Sequence, residues 1–304
     1  MQPRYHLVLE FWDRSSKLKI MNKEYSKFVK EFMKILLKQD IKQGDITSNS
    51  LIKSKEITAV IAAKEEGIIA GLEELSLINK DLKLKFFKKD GDIIKSGDTL
   101  VKIKGNARKI LEKERVSLNL LQRMSGIATN VYKLNKKLEN KLKLAATRKT
   151  PWSLLDKKAV SIGGGLTHRL SLNEGIIIKD NHLKLMNHDF KKAINSAKNK
   201  SRYIEVEVEN ELQAVNAAMA IKKSIKKNNK NLHAIMLDKI QPNDIKSIIK
   251  NLKNQNLYDY VLLEASGNIS HENLHEYSDC GADIISMGCI TNSAKALDIS
   301  MEVE

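Results

Sequence analysis

From residue 142 onward the chain alternates short apolar runs with stretches of helical spacing, and few folds accept that pattern. The runs 142–146, 175–179, 203–208, 233–238, 259–264 and 282–286 are predicted strands. Residues 152–160, 189–199, 209–224, 242–254 and 270–278 are predicted helices. Short strands alternating with longer helices imply βα units and a parallel sheet. About six or seven such units favour a barrel over an open sheet, and a barrel gathers its functional groups at the C-terminal ends of its strands. Those ends carry Arg148-Lys149, Lys179, Glu207, Asp238, Glu264 with Ser266-Gly267, and Ser286-Met287-Gly288. His168-Arg169 follows a triple glycine, Gly163-Gly164-Gly165. This inventory holds cations, carboxylates and small turns. It contains no Ser–His–Asp arrangement, no cysteine nucleophile and no metal-binding histidine cluster. It suits chemistry among phosphates and carboxylates better than peptide hydrolysis or hydride transfer.

The arginines sharpen this reading. Of 53 Lys+Arg only eight are Arg, so lysine is the default cation here. An arginine kept against that bias supplies a planar fork that pairs with a carboxylate or phosphate through two parallel bonds. Arg148 alone, or Arg169 alone, would read as a structural ion pair. Clustered beside three glycines, which let backbone N–H groups approach an anion closely, they read as an anion site. Glu205, Glu207, Glu209 and Glu211 alternate, as on one face of an exposed edge strand. Their position among Ile204, Val206 and Val208 instead predicts a buried parallel strand with a charged end. Asp238 has an alternative reading as a helix N-cap.

The first part of the chain has a different rhythm. Residues 1–20 match no recognisable pattern, and Met21 is an alternative start. Phe28, Phe32, Ile35 and Leu36 predict an amphipathic helix over 24–38, and 43–47 reads as a turn. Strand-like runs at 57–63, 68–70, 82–87 and 99–103, separated by Asp90-Gly91-Asp92 and Ser96-Gly97-Asp98, predict a small antiparallel sheet. Those turns also resemble a biotinyl or lipoyl carrier domain, but no lysine sits at a hairpin tip in the Met-Lys or Asp-Lys context those carriers need. A helix over 106–125 starts at Asn106 as N-cap, and a second is predicted over 128–138. Arg115, within the first, reads locally as an ion pair with Glu112 or Glu114.

A chain of 304 residues with 42% hydrophobic and 30% charged residues is an ordinary globular composition. No apolar run is long enough for a membrane span or a signal-peptide core, so a cytoplasmic location with no membrane partner is expected. Cys280 and Cys289 do not match a metal spacing and are expected to be free thiols. A net charge of +16 invites a nucleic-acid partner. The lysines are spread along the chain and aromatics are only 5%, so no stacking platform forms and no nucleic acid is expected. The densest run, 222–230, reads as a solvated helix end and loop. A positive field still concentrates anionic substrates.

The motifs together resemble one family, quinolinate phosphoribosyltransferase. They are Gly-Asp-Ile-Thr (44–47), Glu114-Arg115 running on to Leu-Leu-Gln-Arg-Met-Ser-Gly-Ile-Ala (120–128), and Thr-Arg-Lys-Thr (147–150). Lys-Ala-Val with Gly-Gly-Gly and His-Arg (158–169), Ile-Lys-Asp-Asn-His (178–182) and Glu-Val-Glu-Val (205–208) follow. Met-Leu-Asp (236–238), Glu-Ala-Ser-Gly (264–267) and Ile-Ser-Met-Gly (285–288) complete the order. The resemblance implies an α/β chain: an N-terminal α+β, sandwich-like domain over 21–130, an incomplete parallel α/β barrel over 131–289, and a tail, 290–304, packing back on the first domain. It implies transfer of phosphoribosyl from phosphoribosyl pyrophosphate to quinolinate, with decarboxylation to nicotinate mononucleotide, pyrophosphate and carbon dioxide, a step of NAD biosynthesis.

The resemblance also implies residue roles. Arg148, Arg169, Lys149, Lys179, His168 and Thr147 bind quinolinate and phosphates, and Lys149 or Lys179 assists decarboxylation. Glu207 and Asp238 hold the ribose hydroxyls, directly or through Mg²⁺ carried by the pyrophosphate. Ser266, Gly267, Asn268, Met287 and Gly288 cradle the 5′-phosphate with their backbone. Arg115 reaches the active site of the partner subunit in a homodimer. The chain departs from the family pattern at Pro151-Trp152 and at Lys239, beside Asp238, and by about ten extra residues between Glu207 and Asp238. Two rivals are a paralogue found with molybdenum transport, which lacks Ile-Lys-Asp-Asn-His, and an inactive barrel that binds a polyanion.

Overall fold

The computed structural model describes residues 3–139, 141–225 and 231–304; most of the lysine-rich run expected to be a loop lies outside the described residues. The first elements are helices α1 (Pro3–Trp12), α2 (Lys23–Ile41) and α3 (Ile46–Leu51). Strands β1 (Glu56–Ala63) and β2 (Gly67–Ile68), helix α4 (Leu72–Ile78), strands β3 (Lys83–Phe86), β4 (Ile93–Ile94) and β5 (Thr99–Asn106), and the long helix α5 (Ala107–Lys137) follow. Then come β6 (Lys143–Ala146), α6 (Leu154–Ile162), β7 (Ile176–Ile178), α7 (Asp180–Leu185), α8 (Phe190–Ala197), β8 (Tyr203–Val208) and α9 (Glu211–Ser224). The chain ends with β9 (Leu232–Asp238), α10 (Pro242–Asn254), β10 (Leu262–Ser266), α11 (Leu274–Tyr277), β11 (Ile284–Met287), α12 (Cys289–Asn292) and β12 (Ile299–Val303).

These elements form two compact units. One comprises Met1–Arg14, Leu134–Lys149 and Gly165–Cys289; the other comprises Ser15–Lys133, Thr150–Gly164 and Ile290–Glu304. The division is not the contiguous one expected from sequence. The first fourteen residues join the barrel rather than standing apart, the divide expected at 130 moves to Lys133, and 150–164 belong to the other unit.

In the first unit six parallel strands run in the order β6-β11-β10-β9-β8-β7. Strands β6 and β7 do not pair with each other, so this is the expected incomplete α/β barrel. The 165–169 segment extends the sheet past β6: the Leu166 amide donates to Leu144 O at 2.7 Å and the Ala146 amide to Leu166 O at 2.9 Å. The helices are amphipathic. In α10, Ile245, Ile248, Ile249 and Leu252 are buried, and Pro242 sits in the first turn, where its missing N–H costs nothing. Fully burying each such side chain stabilises the fold by about 1.5–3 kcal/mol.

Helix α1 closes the barrel at the strand N-terminal end. Val8, Phe11 and Trp12 pack on Ala145, Leu166, Ala234, Leu262 and Ile284 in one apolar cluster, flanked by Tyr203 and Leu232. Within a strand the side chains alternate between faces. Tyr203, Glu205 and Glu207 therefore share the lumen, while Ile204, Val206 and Val208 face the helix layer, all three fully buried. Glu205 and Glu207 of the glutamate alternation mark a barrel interior, not an exposed edge, while Glu209 lies exposed beyond the strand and Glu211 opens α9.

The second unit carries an antiparallel sheet, β12-β1-β5-β3, and a short β2–β4 pair. Asp92 and Asp98 accept the amides of Lys89 and Lys95, closing the two turns marked by Asp-Gly-Asp and Ser-Gly-Asp. Strand β12 pairs antiparallel with β1, bringing Val303 opposite Ala59. Asn106 caps α5 through the Arg108 amide at 3.1 Å. Where two helices were expected, α5 is a single helix of 31 residues. The apparent break, Gly126, is there for close approach: a Cβ would collide with the carbonyl of Lys295.

Candidate active site

The C-terminal ends of the barrel strands surround a cavity of about 410 Å³, within the usual size of small-molecule sites. Its walls include Thr147, Arg148, Lys149, His168, Arg169, Lys179, Glu207, Asp238, Ser266, Gly267, Asn268 and Gly288. Twelve of the fourteen residues expected from sequence therefore meet in one place. Met287 does not line the cavity. It lies on β11 between Ser286 and Gly288, which do, and the alternation of the strand turns its side chain into the helix layer. Arg115 lies in the other unit, on α5, beside surface grooves lined by Asp45, Ser48, Leu51 and Glu114 on one side and Asp40, Asn119 and Trp152 on the other. Trp152 is also in that unit, its amide bonded to Asp156 and its ring edge-on to Phe32.

The cations are arranged around the mouth. Lys179 Nζ pairs with Glu207 Oε2 at 2.6 Å. Arg169 donates through a terminal nitrogen to Gly175 O at 2.8 Å, while its buried Nε has no hydrogen-bond partner. Burial and the neighbouring charge of Arg148 pull the Arg169 guanidinium below its ordinary pKa. Two like charges forced together in a polar cavity are relieved by an anion with more than one charged group.

The glycines do what their positions demand. Gly267 has φ +83°, and a Cβ there would meet Asp238 Oδ1 and come within 2.6 Å of Lys239 N. The Lys239 amide in turn donates to Ser266 O at 2.8 Å, locking the ends of β9 and β10 together. A Cβ on Gly288 would lie 2.9 Å from Lys149 Cδ. Lys239 itself adopts φ 59°, and its Nζ lies 3.4 Å from Asp238 Oδ2.

At the floor of the cavity His168 meets two buried glutamates, Glu205 and Glu264, to which the sequence reading gave no role. His168 Nε2 lies 3.3 Å from both Glu205 Oε2 and Glu264 Oε2. His168 was expected to serve as a cation for the substrate, yet this nitrogen points down at two carboxylates. Its Nδ1 accepts the Arg169 amide at 2.7 Å, which places the ring proton on Nε2. Burial favours neutral imidazole, but Glu264 and Glu205 outweigh it and raise the histidine pKa. Burial and then Glu264 push the Glu205 carboxyl up to about 7. Glu264 accepts from Ser286, which also bonds Ser266 at 2.8 Å. The signal for this cluster was present in the Glu205/Glu207 alternation and in the glutamate two positions before Ser266. Only the three-dimensional arrangement shows that they converge on His168.

Fold and site together define an α/β barrel protein whose C-terminal mouth gathers cations, carboxylates and glycine turns around one cavity. Residues 45–125 match the family described as quinolinate phosphoribosyl transferase, N-terminal domain, and residues 127–302 match its C-terminal domain. The chain belongs to the quinolinate phosphoribosyltransferase family. A probable nicotinate-nucleotide pyrophosphorylase (carboxylating) of Bacillus subtilis is 37% identical over 284 residues, covering 90% of this chain and 93% of that protein. The corresponding protein of Methanothermobacter thermautotrophicus is 34% identical over 283 residues, covering 90% and 98%. The solved structure of the nicotinate-nucleotide pyrophosphorylase from Francisella tularensis has a TM-score of 0.79 and 32% identity, covering 91% of this chain and 96% of that one.

Proposed function

We propose that this protein joins quinolinate to phosphoribosyl pyrophosphate and releases pyrophosphate and carbon dioxide, leaving nicotinate mononucleotide for NAD synthesis. The observation that carries this reading is the convergence of Arg148, Arg169, Lys149 and Lys179 on one cavity with Glu207 and Asp238. Quinolinate brings two carboxylates. Arg148 and Arg169 each offer a fork to one of them, and Lys149 adds a point charge. Loss of pyrophosphate from C1 of the ribose builds oxocarbenium character on the ring. Glu207 and Asp238 accept from the ribose hydroxyls and offset that charge. The Ser266-Gly267-Asn268 turn and Gly288 present backbone to the 5′-phosphate, the place at which barrels of this type often hold one. Once its nitrogen is alkylated, the cationic ring stabilises the electron pair left on C2 as the 2-carboxylate departs as carbon dioxide, and C2 then takes a proton, with Lys149 or Lys179 beside it.

Glu207 and Asp238 are hard oxygen donors at the same mouth, each with one oxygen committed to a lysine and the other open. That set fits Mg²⁺ arriving on a pyrophosphate, since Mg²⁺ takes one or two carboxylates alongside phosphate oxygens. The ion would neutralise leaving-group charge. The reading includes a homodimer in which Arg115 completes the partner's site. The exposed Ile46 and Leu51 beside its groove support a covered surface there. It also includes a cytoplasmic location, in keeping with two free thiols and with no helix among the described residues long and apolar enough to cross a membrane.

The test is turnover. Pure protein with quinolinate, phosphoribosyl pyrophosphate and Mg²⁺ is expected to release nicotinate mononucleotide and carbon dioxide. Arg148→Ala is expected to lower kcat/KM at least about 100-fold, because two charge-assisted bonds of roughly 1.5–3 kcal/mol each are lost. Wild-type protein that binds quinolinate and never turns it over would refute the assignment.

A further inference from the structure

Helix α1 lies at the opposite end of the barrel from the cavity, yet its last turn touches the substrate-binding segment directly. The carbonyl of Trp12 is one of the C-terminal acceptors that a helix cannot satisfy itself. It accepts the amide of His168 at 2.7 Å. Two residues further, the Arg14 amide donates to Thr167 Oγ1 at 2.7 Å. Thr167 is fully buried, and its hydroxyl also lies 3.1 Å from the His168 carbonyl. Trp12 is 0% exposed within the apolar cluster, so the acceptor it carries is immobile. The Arg14 guanidinium sits 4.3 Å over the Tyr203 ring and bonds the carbonyls of Glu10 and Asp13, which fixes the turn after the helix.

These bonds grip the chain where its backbone is least comfortable. His168 has φ 56°, a left-handed conformation that a residue with a Cβ keeps only when its surroundings impose it. The turn sends the His168 and Arg169 side chains into the cavity and lets the Arg169 amide reach His168 Nδ1.

We propose that α1 is part of the substrate site's scaffold, and that Thr167 is a positioning residue which, clamped between Arg14 and Trp12, holds His168 and Arg169 in register for the dicarboxylate substrate. The proposal rests on the quinolinate reading above. Thr167 does not line the cavity. It acts through the backbone of its neighbour, so its loss selects between the two substrates: the dicarboxylate partner suffers, and the phosphoribosyl partner held by the β9–β11 turns does not.

The test is Thr167→Val, which keeps shape and removes the hydroxyl, run beside Thr167→Ser, which restores it, and Thr167→Ala in case the valine protein does not fold. Steady-state constants for both substrates and exchange of the His168 amide are measured on the full chain. We expect the KM for quinolinate to rise about tenfold in the valine or alanine protein, a loss of one hydrogen bond's size, the KM for phosphoribosyl pyrophosphate to stay within about twofold, and serine to restore the quinolinate KM. Exchange at the His168 amide should be at least about tenfold faster without the hydroxyl. Both KM values rising together, or no change in either, would overturn the proposal, as would serine as impaired as valine. Should the wild type show no turnover, the quinolinate reading falls, and unchanged His168 exchange in the variants would then overturn the clamp by itself.

Discussion

Two residues show how tightly the mouth of the barrel is constrained. Gly267 has a left-handed backbone and no room for a side chain against Asp238 and Lys239. Gly267→Ala forces the 266–268 turn away from Asp238. We expect it to cost about 1–3 kcal/mol of stability and to raise the KM for the phosphorylated substrate more than that for quinolinate, measured by thermal melting and steady-state kinetics. The motif Glu-Ala-Ser-Gly already pointed to a phosphate cradle. That its glycine is needed for close approach to the neighbouring strand end was decided in space. Met287 teaches the converse. It lies inside a correct motif, and the two-residue period of β11 still takes its side chain out of the cavity. A motif names a segment, and the pleat decides which of its side chains arrive.

At the scale of the element, α5 and α6 are joined by one buried ion pair. Arg123 on α5 makes a two-pronged contact with Asp156, Nε to Oδ1 at 2.7 Å and Nη2 to Oδ2 at 2.8 Å. Asp156 is 0% exposed and also accepts the Trp152 amide. Arg123→Met leaves that carboxylate buried without its countercharge. Unfolding by denaturant is expected to show a loss of about 3–5 kcal/mol, with part of it recovered in Arg123→Met/Asp156→Leu. The arginine scarcity that singled out Arg148 and Arg169 for the anion site applies equally to Arg123, whose fork serves structure. Composition marks where a planar cation is wanted and does not say for what. Helix α1 carries a similar lesson. Its ten residues match no motif because their requirement is shape: apolar bulk to fill the barrel floor, supplied by Val8, Phe11 and Trp12.

Across the whole molecule, the acid–base balance of folding has one legible contributor in Asp90. Its Oδ1 accepts the Leu72 amide at 2.9 Å, and its Oδ2 is buried without a hydrogen-bond partner. Burial pushes its pKa from an ordinary 3.8 up to about 6, against the pull of the Leu72 N–H. The folded chain therefore holds this proton more tightly than the unfolded chain. By linkage its contribution favours folding at pH below 3.8 and is progressively lost as pH rises from 3.8 to about 6. Asp90→Asn removes the penalty. Relative to wild type, the variant is expected to melt higher at neutral pH than it does in acid, and equal shifts at both would contradict the assignment.

The sequence alone determined the class of fold and most of the site. Strand and helix periods are local properties, and residues at strand C-terminal ends must converge once the strands are parallel. The run 203–208 and the helix 242–254 appear at their expected limits for that reason. What only the tertiary structure decided depends on contacts between residues far apart in the chain. Gly126 is a contact with the tail and not a helix break. His168 faces Glu205 and Glu264 as well as the cavity. The opening fourteen residues belong to the barrel unit. No period or spacing in the sequence pairs these partners with one another. Each exists because packing leaves a buried polar group, or a buried void, with one partner that can satisfy it.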